Sequence, residues 1–392
     1  MRARMPEAPE RATGRLVYLD HLKVLLIALI IAIHAVLGYV GSDQYWTYAD
    51  VQETTLHPVV ETAFVVLVVP FGLFMIALLF LVAGLLTPPS LTRKGARRFV
   101  FDRLLRLGVP FALFTFLVWP LVTYALYHPF GAAPGSFREE YLSDEGYFDT
   151  GVLWFIGVLL VFSIGYAGLT VLPRPARWLR DADATRPPRP IGMGHLAGLA
   201  LATAAATFLV RLAFPYGSES VTDLNLWEWP GCLALFGLGV AASRHGWLAE
   251  VPHPLRRGAF IVTLVAGVGA AALVGGALAT GSAGRMFGGW DWMALVFAVV
   301  ESALMVFGSV WLLGAAQGHL ARPRAWSGPL GRSAYGAFLL QGFVLLALAL
   351  VLRPVPLPAE AKAVVVAAGA VAGSFAWSWL LVSRVPWFAR II

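Results

Sequence analysis

Apolar residues in this chain are gathered into long runs, each closed by a short polar segment. Ten runs come close to or exceed the roughly 20 residues that cross a bilayer core: 19–41, 59–87, 99–127, 151–172, 191–214, 226–243, 258–280, 290–316, 333–352 and 362–383. The second, third and eighth are long enough to tilt or to project beyond the hydrocarbon. Pro70, Pro110, Pro120 and Pro230 lie inside runs, which membrane helices tolerate when neighbours satisfy the freed carbonyls. The pattern predicts an all-α fold, a polytopic membrane helix bundle of about ten transmembrane helices with both termini cytoplasmic. The divisions expected are a basic cytoplasmic N-terminal tail at 1–18, a transmembrane domain at 19–383 and a cytoplasmic C-terminal tail at 384–392. The first run follows four arginines, as a signal peptide would, but no small-residue cleavage site closes it and nine further runs follow.

Charge placement supports this topology. Ten helices starting inside put the N-terminus, the loops 88–98, 173–190, 244–257 and 317–332 and the C-terminus in the cytoplasm. Of the 29 basic residues, all but Arg138, Arg211, Arg285, Arg353 and Lys362 fall in or beside those segments, as the positive-inside rule requires. The outer loops are acidic. Tyr45, Trp46, Tyr48, Trp227, Trp229, Trp290 and Trp292 cluster at the outer boundaries and are expected to form an aromatic belt. The net charge of +7 is thus directed at the cytoplasm and inner leaflet, and no nucleic acid is needed to explain it.

Composition agrees. Apolar residues make up 59% of the chain and charged residues 13%, about half the share in a soluble domain, and the mean hydropathy is +0.74. A lone Cys232 excludes an internal disulfide and any cysteine-based zinc or iron–sulfur centre. No phosphate-binding P-loop, dinucleotide fingerprint, GxSxG elbow or HExxH is present, and no metal or cofactor is expected.

Polar groups at membrane depth are costly and few, so each is a candidate for function. His34 lies fourteen residues after Asp20, about 21 Å along a helix. Glu301 sits about 16 Å from the outer end of the eighth run and Gln341 about 14 Å from the inner end of the ninth, so the three share a similar depth. A carboxylate beside a neutral histidine fixes its tautomer and raises its basicity, and Glu301 is expected to play that part for His34. The same three groups would also serve as a structural polar knot. Arg103 and Arg106, three apart, share a helix face next to Arg93, Lys94, Arg97 and Arg98. A guanidinium pair suits a phosphate or pyrophosphate; ordinary anchoring to anionic lipid is the plainer reading. Asp20 and Lys23 are spaced to pair. Arg211, near the outer end of the fifth run, is expected to snorkel to headgroups or to hold an anionic acceptor.

Taken in order, these residues resemble the acyltransferase 3 family of ten-helix bacterial membrane acyltransferases. The likeness rests on Asp20 to Lys23 followed by His34, on Phe80 to Thr87, on Arg103-Leu104-Leu105-Arg106 through Pro110, on Leu153-Trp154-Phe155 and on Leu330 to Tyr335. Arg211 to Gly217 and Glu301-Ser302 are similar to the glucan succinyltransferase-like members. Two positions depart: Lys23 stands where the family usually has arginine, and Gln341 where many relatives have histidine. The resemblance implies a multi-pass protein of a bacterial plasma membrane that moves an acetyl or succinyl group from cytoplasmic acyl-CoA to a hydroxyl of an extracytoplasmic glycan or glycolipid. It implies His34, Glu301, Lys23 and Asp20 as the catalytic group, Arg103, Arg106 and Arg98 as the acyl-CoA site, and Arg211, Gln341 and Tyr335 on the acceptor or supporting side. Two rival readings are a proton-coupled transporter or flippase of an anionic or glycosylated solute, and an inactive relative that assembles with envelope enzymes.

Overall fold

The computed structural model describes residues 17–41, 48, 51–130, 135–141, 150–172, 191–218, 223–248 and 250–391. The N-terminal arginines, Tyr45, Trp46 and the loop 173–190 lie outside them. Eleven helices carry the fold: α1 Val17–Leu37, α2 Pro58–Leu67, α3 Val69–Lys94, α4 Ala96–Leu126, α5 Trp154–Val171, α6 Met193–Arg211, α7 Trp229–His245, α8 His253–Ala279, α9 Trp292–His319, α10 Ser327–Leu352 and α11 Ala359–Arg384. Among the described residues there is no strand. Among the described residues nine helices are long and apolar enough to cross a membrane; α7, at 17 residues, is not one of them.

Each run thus became a helix, with two local revisions. The second run breaks at Val68 into α2 and α3, with Pro70 in the first turn of α3. The run does not stop at residue 87. It continues through Pro88 and Pro89 to Lys94, where Gly95 (φ 76°) ends it. Two prolines do not close a helix whose flanks are packed; a left-handed glycine does.

α3 and α9 are the most buried spans, while α4, α6, α8 and α11 turn much of their surface outward. Leu201, Val265, Val268 and Val364 are exposed on that outer surface. This is the inverse of a soluble fold, and lipid is the solvent it suits.

α3 packs most extensively on α7, and the sequence shows why. A Cβ on Gly84 would stand 2.2 Å from the Phe236 carbonyl oxygen, and one on Gly239 2.3 Å from that of Leu81. Small residues let the two backbones touch. α1 lies against α10, α11 and α3.

The aromatic belt holds only in part. Trp290 and Trp292 are exposed at the start of α9, but Trp227 and Tyr48 are buried. The Tyr48 hydroxyl is taken up by Glu53 and the Trp227 ring by a buried guanidinium instead.

Candidate functional site

The arginines grouped from the sequence lie at the start of α4, beside the end of α3. A cleft of about 370 Å³ is lined by Pro89, Ser90, Arg93, Lys94, Asp102, Arg103 and Arg106, among others. Arg103 lies 5.0 Å from the centre of the Phe99 ring, and Lys94 pairs with Asp102. Arg98 lines a separate hollow, shared with Lys94 and Arg97 but not with Arg103 or Arg106. The three arginines grouped from the sequence therefore split two and one.

The helix bearing this cleft is locally widened, with a π-helical turn at Leu104–Gly108. The cause can be read from the chain. Pro110 has no N–H, so the carbonyl of Arg106, four residues earlier, loses its α-helical donor. The Tyr335 hydroxyl of α10 donates to that carbonyl at 2.6 Å. One phenol thus fixes the arginine-bearing turn against α10. The rings of Phe114 and Trp119 hold the next two turns against Phe343, at 5.5 and 5.7 Å.

His34 lies in the last turn of α1 and is half-buried. Its ring interacts with the Gln341 side chain of α10 and with the backbone at Ile30, although neither Gln341 amide atom completes a well-formed hydrogen bond. Tyr335 and Gln341 are six residues apart on one helix, about 9 Å of rise. α10 therefore meets both the arginine-bearing turn and the histidine, on sides about 120° apart round the helix.

At the inner end of α1, Asp20 and Lys23 pair at 2.9 Å, as their spacing predicts. Nothing in the spacing signalled what His21 does. It is buried, its Nδ1 is 2.8 Å from the Leu320 carbonyl and its Nε2 is 2.5 Å from Ser327 Oγ. A carbonyl only accepts, so Nδ1 carries the proton and the serine hydroxyl donates to Nε2. With Trp326 at 4.6 Å, His21 ties α1 to the turn between α9 and α10.

Glu301 has a partner other than His34. It forms a forked pair with Arg211, Oε2 to Nη1 at 2.7 Å and Oε1 to Nη2 at 2.9 Å, and both side chains are at most 2% exposed. Arg211 therefore does not snorkel. Its guanidinium sits 5.0 Å from the ring of Tyr216, 5.7 Å from Trp227 and 5.6 Å from Phe297. A second buried acid, Glu228, acts electrostatically on both members of the pair. The rule that an intramembrane acid seeks an intramembrane base was the available signal for the pairing. Trp227, Glu228 and Tyr216 carried none beyond their place at a helix end.

A third cluster joins residues 48–53 to the start of α11. Lys362, 2% exposed, reaches Glu53 at 2.5 Å and the Arg353 carbonyl at 3.1 Å. Tyr48 donates to the other Glu53 oxygen. Burial raises the Glu53 carboxyl, but the hydrogen bonds from Lys362 and Tyr48 outweigh it and hold the group below its ordinary value. Among the described residues no group of three or more His, Cys, Asp or Glu is placed to hold a metal.

A multi-pass helical bundle with charged and polar side chains buried among its apolar helices is a membrane protein. The chain belongs to the acyltransferase 3 family, whose acyltransferase-domain model matches residues 16–383, nearly the whole length. No curated protein and no solved structure matches it.

Proposed function

We propose that this membrane acyltransferase takes its acyl group from acyl-CoA on the cytoplasmic side and delivers it to a hydroxyl of an extracytoplasmic glycan or glycolipid. The observation that carries the reading is that one helix, α10, touches both groups: Tyr335 braces the turn that presents Arg106, and Gln341, six residues further on, meets His34. A donor whose phosphates rest on Arg103 and Arg106 then has its thioester directed along α10 towards His34.

In this reading His34 takes the proton of the acceptor hydroxyl. The freed oxygen attacks the thioester carbon, the C–S bond breaks, and the CoA thiolate leaves and is protonated. The ester and free CoA are the products. Gln341 orients the ring, and the Asp20–Lys23 pair helps fix the inner end of α1. Glu301 acts at a distance, by holding Arg211 and with it the outer ends of α6 and α9. The strongly asymmetric basic residues support a cytoplasmic position for the cleft, and the donors of this reading are acetyl-CoA and succinyl-CoA.

The test uses inverted membrane vesicles carrying the wild-type chain or His34→Ala. Labelled acetyl-CoA or succinyl-CoA is supplied outside, with host envelope glycans in the lumen. Label on lumenal glycan that needs intact His34 is the expected result. Equal labelling by the variant removes His34 from the chemistry. Retention of acyl-CoA with no CoA released, for either donor, favours a transporter or an inactive assembly partner.

A further inference from the structure

α3 and α4 meet at Gly95, between the end of one membrane-crossing stretch at Lys94 and the start of the next at Ala96. On the side of this elbow away from the Arg103–Arg106 cleft lies a broad hollow of about 720 Å³. Its wall carries Lys94, Arg97 and Arg98, then Val100, Phe101 and Leu104. Arg97 and Arg98 are exposed and form no ion pair among the described residues. Phe101 and Leu104 are exposed large hydrophobics, at 59% and 44%. They lie one and two turns further into the span than the arginines.

Cations at the boundary followed by bare apolar side chains deeper in have the polarity of an amphiphile with an anionic head. We infer that this hollow binds an anionic phospholipid, its phosphate on Arg97 and Arg98 and its chains along Phe101 and Leu104. Charge complementarity favours an anionic over a zwitterionic head, and the apolar wall favours a lipid over a free phosphate. The site is distinct from the cleft: α4 separates them, and Lys94, engaged by Asp102 on the cleft side, is the wall they share. The inference is independent of the acyl-transfer reading, since it needs neither donor nor acceptor.

The full chain, purified in micelles containing equal amounts of phosphatidylglycerol and phosphatidylcholine at low salt, is examined by native mass spectrometry. The wild type is expected to keep one phosphatidylglycerol in preference to phosphatidylcholine. Each basic residue near a membrane surface is worth a factor of about five, so Arg97→Gln/Arg98→Gln is expected to weaken that preference about thirtyfold. Arg322→Gln/Arg324→Gln, which removes two cations elsewhere on the same side, is expected to keep it. Phe101→Ser loosens the lipid but leaves any binding of added pyrophosphate unchanged. No preference in the wild type overturns the inference. So does equal loss in the two double variants, which reports a diffuse field rather than a site. Displacement of the lipid by pyrophosphate, with no effect of Phe101→Ser, reassigns the hollow to a free phosphate ligand. All variants change exposed residues, and retention of a monodisperse peak checks their fold.

Discussion

Glu301→Gln removes one charge from the Arg211 pair and leaves a guanidinium sealed among Tyr216, Trp227 and Phe297. Both partners are at most 2% exposed and joined at 2.7 and 2.9 Å. Breaking one side of such a pair costs about 3–5 kcal/mol, because the remaining charge stays buried and uncompensated. Glu228, a second buried carboxyl acting on the same guanidinium, offsets part of this. A net loss near ~3 kcal/mol is therefore expected. Glu228 makes the prediction sharper. It is a second carboxyl facing a guanidinium that Glu301 already neutralises, and its Oε1 has no hydrogen-bond partner. Glu228→Gln is accordingly expected to be neutral or stabilising. Cys232, wholly buried on α7 close to both acids, supplies the assay as the only thiol in the chain. Its rate of maleimide labelling in detergent reports local opening, and thermal unfolding by tryptophan fluorescence reports the whole. Faster labelling and a lower Tm are expected for Glu301→Gln, and neither for Glu228→Gln. Arg211→Met with Glu301→Leu and Glu228→Gln is expected to recover most of the loss, since the three replacements together leave no orphan charge. Equal loss of stability in both single variants would refute the reasoning from charge balance.

Three further outcomes follow from the same geometry. Gly84→Ala drives a methyl into the Phe236 carbonyl and is expected to cost at least about 1–3 kcal/mol, read as a lower Tm, whereas Gly72→Ala, with open space around it, changes little. His21→Ala loses its bonds to Leu320 and Ser327 and is expected to cost about 1–3 kcal/mol, with protease cutting between α9 and α10 as the readout. Because the Glu53 carboxyl is held below its ordinary value of 4.5, its contribution is complete above that value and disappears as pH falls through the lower folded value. Acid is thus expected to loosen the Glu53–Lys362 cluster, seen as amide exchange at residues 51–57, and Lys362→Met is expected to abolish that pH dependence.

Depth was legible in the sequence and direction was not. Run length and charge asymmetry located every spanning helix, because lipid forces each span to be apolar throughout. That same uniformity erases the polar face from which a helix's rotation is usually read. His34, Glu301 and Gln341 were placed at similar depth, yet only His34 and Gln341 meet. Glu301 turns to Arg211, 90 residues away in sequence. Local spacing was a good guide where partners are local, as for Asp20 and Lys23. It failed for Arg98, because Arg98 and Arg103 are five residues apart on the regular stretch Ala96–Arg103, about 140° round the helix. The extension of α3 through Pro88 and Pro89 was missed because the packing that holds a proline-containing helix is tertiary.

The Tyr335 hydroxyl matters only because residue 110 is a proline. With alanine there, the Arg106 carbonyl regains an amide donor from its own helix and the phenol becomes dispensable. Substitutions at 335 and 110 should therefore be epistatic: Tyr335→Phe is harmful while Pro110 is present and mild once Pro110→Ala has been made. The two positions, far apart in the chain, are expected to have been inherited as a pair.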